Sequence, residues 1–364
     1  MKLLVWQWGR RGAGPRFAVG LAEGMRALPG IAVLLSLSAQ AEILCIAEPP
    51  RCELPFHTYD GWAGFAVRAL QAPLLLGPLV RWLRRERPDA AICAMPAALD
   101  SIMAAALRRA RVPYLVVVHD ADTHPGDGMP LQMTLQRRVV RKANGLVALT
   151  GHVAQRLRQQ RLVGDKPLLR ASLPPFVFGP PPAPPGAHGG PLRLLSFGRL
   201  LPYKGLDLLA DGLRLLGAHP GLEVRVVGSG PPSAALAQLA RLPGVRVENR
   251  WVPEAEVGPL LAWADAIVLS HREASQSGVA SAAIAAGRWI VATRVGGLAE
   301  QLGDESLARL CDPTPQSLAA AIAALVADPP PVAAPRDPLG DWRVLGAGLV
   351  RDIAALKLFP AGPA

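Results

Sequence analysis

Two cations five residues apart, Arg199 and Lys204, lie in a segment that glycine and proline shape, Gly198-Arg199-Leu200-Leu201-Pro202-Tyr203-Lys204-Gly205. Arginine can grip phosphate oxygens through two N–H groups at once, and lysine supplies a compact point charge. The pair suits an anion with more than one charge, and a diphosphate is the natural match. Further on, His271-Arg272-Glu273 leads into Ser277-Gly278-Val279 and a run of small residues. A helix starting there would offer free N–H groups to a phosphate. Glu273 beside it could accept hydrogen bonds from hydroxyl groups. Taken singly, each feature also has a plainer meaning: two solvated cations, a capping carboxylate.

Three further segments have the same character. Gly9-Arg10-Arg11-Gly12-Ala13-Gly14-Pro15 would let backbone approach a ligand closely at a helix start, or would be a tight turn and nothing more. Gly228-Ser229-Gly230-Pro231 is another close-approach turn, suited to a base or ribose, or simply the end of a strand. His119-Asp120 follows an apolar run, which would place His119 at a strand end. Asp122 and His124 are near, but their spacing fits no standard ligand set, so no metal is expected.

Position decides what such segments can do. Short apolar runs alternate with longer stretches of helical period. In the first half, strands are expected at 2–8, 31–37, 89–94, 114–119 and 145–150, with helices at 14–28, 63–86, 97–110, 130–143 and 151–160. In the second half, strands are expected at 192–197, 222–228, 244–248, 265–270, 289–293 and 306–311, with helices between them. Alternation of this kind predicts parallel sheets covered on both faces. The expected fold class is α/β, with two Rossmann-like doubly wound domains facing across a cleft. Residues 1–175 form the first domain, 176–191 a proline-rich linker, 192–337 the second domain, and 338–364 a C-terminal helix. In doubly wound sheets ligands bind beyond the carboxyl ends of the strands. Every segment named above falls there.

Hydrophobic residues make up 51% of the 364, enough for two large cores and too many for a disordered chain. The four cysteines form no C-x-x-C pair, and the first residues lead straight into a strand, so a cytoplasmic protein without a signal peptide is expected. No uninterrupted apolar run is long enough to predict a transmembrane helix. The net charge of +11 belongs entirely to residues 1–185, which hold 23 Lys and Arg against 12 Asp and Glu. An anionic partner for that half is one explanation: nucleic acid, a membrane surface or an anionic substrate. Arg81, Trp82, Arg84, Arg85 and Arg87 close an apolar helix, and Arg137, Arg138, Arg141 and Lys142 close another. Basic residues beside apolar ones suit peripheral docking on an anionic membrane, or simply a solvated helix face.

In order and spacing, these segments resemble the family 4 retaining glycosyltransferases of the GT-B fold. Gly198-Arg199 with Lys204-Gly205, Gly228-x-Gly230-Pro231, Glu273 with Ser277-Gly278-Val279, and Val295-Gly296-Gly297-Leu298-x-Glu300 carry the likeness in the second half. Gly12 to Gly14, Arg87-Pro88-Asp89 and His119 carry it more loosely in the first. The resemblance implies a nucleotide diphosphate sugar as co-substrate, no cofactor or metal, and no nucleic-acid partner. It assigns Arg199 and Lys204 to the diphosphate, and the amides at Gly278 and Val279 to the distal phosphate. Glu273 and His119 would meet the donor sugar. Gly14, Gly198, Gly228, Gly230, Ser277 and Ser281 complete the implied donor site. Relatives often carry a second glutamate eight positions after the first, where this chain has Ser281. A recognisable subgroup lacks it as well. The implied acceptor is a lipid-linked precursor or a glycan of bacterial surface polysaccharide. A GT-B sugar-nucleotide epimerase and a non-catalytic binding subunit are the alternatives.

Overall fold

The computed structural model describes residues 1–122, 130–178, 189–329, 331 and 333–356. Most of the expected linker, residues 179–188, lies outside them, as do His124 and residues 357–364. The chain forms two compact units.

The first unit is built on strands β1 (Lys2–Gln7), β2 (Ala32–Leu37), β3 (Ala90–Cys93), β4 (Tyr114–Val118), β5 (Gly145–Ala148) and β6 (Leu168–Arg170). Helices α1 (Ala13–Arg26), α2 (Gly61–Glu86), α3 (Asp100–Ala110), α4 (Pro130–Lys142) and α5 (Gly151–Gln159) connect them. All pairings are parallel, in the order β2-β1-β3-β4-β5-β6. β3, β4 and β5 are buried along their whole length, which is why they read as continuous apolar runs. The three-residue β6 was not expected; it is too short to carry a periodic signal.

The second unit has strands β7 (Leu192–Phe197), β8 (Leu222–Gly228), β9 (Val245–Asn249), β10 (Ala266–Leu269), β11 (Trp289–Thr293) and β12 (Ala308–Cys311). Its helices are α6 (Leu206–Leu216), α7 (Ala234–Leu239), α8 (Glu254–Trp263), α9 (Gly278–Ala285), α10 (Gly296–Leu302) and α11 (Pro315–Ala327). The parallel order is β12-β11-β10-β7-β8-β9.

A last helix, α12 (Leu339–Ala355), belongs to the first unit and packs on α1. Glycines permit the approach. A Cβ on Gly20 would sit 2.5 Å from the Trp342 indole, and one on Gly346 would sit 3.0 Å from Met25 Cγ. Phe17 meets the same indole edge-on at 5.2 Å.

Each sheet has one place where successive strands start to add on the opposite side. In the first it lies between β1 and β3, in the second between β7 and β10. The loops that leave such a pair splay apart and open a crevice. Those loops are 8–12 and 94–99 in one unit, and 198–205 and 270–277 in the other.

Helix α2 bears on the expectation that no transmembrane helix is present. Ala63–Glu86 of α2 is long and apolar enough to cross a membrane, with a mean hydropathy of 1.4 over its most apolar stretch, of which 11% is buried. The demand for an uninterrupted run overlooked it, because Arg68 interrupts the apolar residues.

Candidate functional site

In the second unit the β7 and β10 loops lie back to back. Gly205 has φ 64°, and a Cβ there would overlap the Ser270 carbonyl oxygen. Hydrogen bonds lock the contact. Ser270 Oγ donates to the Lys204 carbonyl at 2.9 Å, and the Arg272 N–H donates to the Tyr203 carbonyl at 2.9 Å. The Lys204 ammonium donates to His271 Nε2 at 2.9 Å. An ammonium can only donate, so Nε2 accepts and the imidazole proton sits on Nδ1. Thr293 Oγ1 anchors the His271 carbonyl from β11 at 2.6 Å. Lys204 is half-buried and Arg199 exposed, both within 6 Å of the Tyr203 ring.

Gly198, at φ 121°, is where Lys204 and the start of α9 come together. A Cβ at Gly198 would lie 3.5 Å from Val279 Cγ2 and 3.9 Å from Lys204 Nζ. A pocket lined by Ser196, Phe197, Arg199, Lys204, Ser270 and His271 opens beside it. Ser277 caps α9, its Oγ accepting the Ala280 N–H at 3.2 Å. Gly278 and Val279 therefore supply the first-turn N–H groups. Glu273 is exposed on the loop between β10 and α9. Its neighbour Arg272 forks onto Asp207 at 2.6–3.1 Å, and that bonding holds the Asp207 carboxyl below the usual carboxylate range.

Several expected contacts take a different form. Ser277 was expected to offer its N–H to a phosphate, but that N–H donates to Gln301 Oε1 at 2.8 Å. Ser281 is fully buried, and its hydroxyl receives Gln301 Nε2 at 3.0 Å, so it faces a side chain of α10 rather than a ligand. Gln301 ties both serines together, a role hidden from sequence because it lies on another helix. Gly228 and Gly230 were expected to let a base or ribose approach. A Cβ on Gly228 would instead overlap the Gly198 carbonyl oxygen, and one on Gly230 the Leu200 carbonyl oxygen. These glycines let the β8 turn pack against the β7 loop. His271 was passed over, and only its bond to Lys204 singles it out.

In the first unit, Gly14 and His119 both border the loop after β3. A Cβ on Gly14 would sit 2.6 Å from Gln7 Nε2 and 3.3 Å from Met95 Sδ. His119 is buried, donates through Nε2 to the Ala94 carbonyl at 2.9 Å, and meets the Phe17 ring edge-on. Burial pushes the His119 imidazole down to about 4, so it is neutral at pH 7. Beneath the same loop lies Asp100, fully buried, accepting the N–H groups of Ala97 at 2.7 Å and Trp8 at 3.2 Å. Those bonds favour the carboxylate, but burial outweighs them and pushes Asp100 up to about 7.

The two groups act on stability in opposite senses. Between about pH 4 and 7 the folded chain keeps a proton on Asp100 that the unfolded chain has lost, so Asp100 makes stability fall as pH rises. Between about 4 and 6.5 the unfolded chain protonates His119 and the folded chain does not, so His119 makes stability rise. Over pH 4.5–6.5 their slopes oppose, each up to ~1.4 kcal/mol per pH unit. Relative to the parent, Asp100→Asn should tilt denaturant-derived stability upward with pH, and His119→Gln should tilt it downward. Parallel profiles for both variants would refute the assignment.

Of the docking residues expected in this unit, Arg81, Arg84, Arg85, Arg137, Arg138 and Arg141 are exposed, with Arg87 and Lys142. Trp82 is half-buried and packs against the core.

Residues 12–172 match the family model for the glycosyl transferase 4-like domain, and residues 191–328 match that for glycosyl transferases group 1. Over 145 residues the chain is 35% identical to a glycogen synthase of Mycobacterium tuberculosis; the match covers 38% of this chain and 35% of that protein. The chain thus spans about a third of the curated relative's length. Two solved structures resemble nearly the whole chain. Anabaena Alr3699/HepE, crystallised with UDP, aligns with a TM-score of 0.66 at 16% identity, covering 97% of this chain and 99% of that one. Sucrose-phosphate synthase from Thermosynechococcus elongatus aligns with a TM-score of 0.64 at 16% identity, covering 98% and 95%. At such identities the likeness shows the fold, which is GT-B.

Proposed function

We infer, from a chain built of a glycosyl transferase 4-like domain followed by a glycosyl transferases group 1 domain, that the protein is a glycosyltransferase that uses a nucleotide diphosphate sugar. The observation that carries this reading is the convergence of Lys204 and the start of α9 on Gly198, at the strand-order reversal of the second sheet. A donor whose leaving group gains charge needs such a place. As the glycosidic bond breaks, negative charge grows on the leaving diphosphate. Lys204 on one side and the Gly278 and Val279 amides on the other would stabilise it, with Arg199 adding charge from the exposed rim. Groups already oriented toward developing charge need no reorganisation during the reaction, which makes this kind of stabilisation large. His271 would hold the Lys204 ammonium in position.

Glu273 would accept hydroxyl hydrogen bonds from the donor sugar, a hexosyl unit transferred with retention. The acceptor would be a hydroxyl of a glycan or lipid-linked precursor of bacterial surface polysaccharide. A UDP-sugar is the first donor to try, because the Anabaena relative was crystallised with UDP. A thermal-shift screen against UDP-, GDP- and TDP-sugars, followed by mass spectrometry of products, tests the reading. No stabilisation by any of them would refute it.

Glu273→Gln should lower turnover roughly ten-fold or more, since a charged hydrogen bond contributes about 1.5–3 kcal/mol. Ser281→Ala removes one buried bond from Gln301 and should cost about 1 kcal/mol of stability, with turnover unchanged. Steady-state kinetics on both variants checks the pair. The reverse ranking would move the donor sugar elsewhere.

A further inference from the structure

Helix α2 carries two apolar stripes. One, through Phe65, Leu79 and Leu83, is buried in the core of the first unit, with Leu75 and Leu76 packed against it. The other faces solvent: Val67, Leu70 and Leu74 are 50%, 82% and 76% exposed. Their spacing of three and four residues puts them in one line along the helix. A water-soluble surface gains nothing from such a ridge, and adjacent large apolar side chains on a surface mark a contact site.

The surroundings name the partner. Both α2 and α4 pack on α3. The three helices hold ten Lys and Arg against Glu86 and Asp100, and Asp100 is fully buried. Arg81, Arg84, Arg108, Arg137, Arg138, Arg141 and Lys142 are all exposed. Arg108 and Arg138 crowd Lys142 closely enough to hold its ammonium below the usual range. Glu86, paired with Lys2 and Arg85, is the one carboxylate of these helices outside the core. Like charges in such excess fit a polyanionic surface, and an apolar ridge beside them fits the layer below that surface.

We propose that the first unit docks on an anionic lipid bilayer, with Val67, Leu70 and Leu74 of α2 inserted into the headgroup layer and the basic residues of α2, α3 and α4 on the lipid phosphates. The inference goes beyond glycosyl transfer and does not depend on it, because its readout is lipid binding. Anchoring by Leu79 and Leu83 in the core makes this a helix lying along the interface rather than one spanning it.

The test is co-sedimentation of the full chain with phosphatidylglycerol–phosphatidylcholine vesicles and with phosphatidylcholine vesicles alone. The expected result is binding to the anionic vesicles at low salt, weakened in high salt, and little binding to the neutral ones. Leu70→Ser with Leu74→Ser should weaken it about ten-fold or more, and Arg81→Glu with Arg84→Glu similarly. All four sites are exposed, so thermal unfolding of the variants should match the parent and confirm folding. Three results would overturn the proposal. One is no binding to anionic vesicles at low salt. Another is protein that stays with the membrane through alkaline carbonate, which would make α2 a span. The third is a dimer in solution that the leucine substitutions dissolve while lipid binding is unaffected, which would give the ridge to a second copy of the chain.

Discussion

Lys204→Ala is expected to lower turnover with a nucleotide-sugar donor by about ten- to a hundred-fold, corresponding to the loss of one charge-assisted contact of roughly 1.5–3 kcal/mol. The nucleoside diphosphate itself should bind more weakly by a similar factor. The site is half-buried, so the charge is only partly screened by solvent. Arg199 is exposed, and Arg199→Ala should move both quantities in the same direction by less. His271→Ala keeps the ammonium but removes the imidazole it donates to, and should fall between the two. Kinetics and calorimetric titration of the nucleoside diphosphate measure these effects. A Lys204→Ala variant with parental donor affinity would remove the diphosphate from this loop.

Gly228→Ala should be among the most destabilising single-methyl substitutions in the second unit. The residue has φ 154°, and a Cβ there would overlap the Gly198 carbonyl oxygen. Backbone strain and overpacking each cost about 1–3 kcal/mol, so a loss of roughly 2–6 kcal/mol is expected. Gly230→Ala would meet the Leu200 carbonyl oxygen without positive-φ strain and should cost about 1–3 kcal/mol, whereas nothing lies within 4 Å of a Cβ on Gly189, and Gly189→Ala should be nearly silent. Chemical denaturation distinguishes the two meanings of this turn. If glycine is needed there only for a ligand, Gly228→Ala will keep full stability and lose donor binding alone.

Those two positions show what a sequence can and cannot disclose. That glycine is needed after β8 was legible, because a strand running into Gly-Ser-Gly-Pro must turn sharply. What lies against it was not: the Gly198 carbonyl is thirty residues away and belongs to a neighbouring strand's loop. The same holds for Ser281. Its place in a helix of small residues was clear, but its burial depends on Gln301 in α10. Strand order decides which loops meet, and no local pattern encodes it. Lys204 and Glu273 could be picked out because charge at a strand end is visible locally, whereas His271 acquires its interest only from the bond it accepts. Apolar periodicity located α2 within two residues. It could not say that Val67, Leu70 and Leu74 would face water, because a second apolar stripe looks the same in sequence as a wider core face.

The return of α12 to α1 has a bearing on how the protein is made. A ribosome delivers residues 1–174 first, and the helix that covers α1 follows only after the whole second unit. At about 5–20 residues per second, α1 waits roughly 15–65 s with its Phe17, Gly20 and Gly24 face bare. For that interval the first unit is a nascent chain with an open apolar seam. Its completion is a late event, and a transcript cut short before Leu339 would yield a product in which that seam never closes.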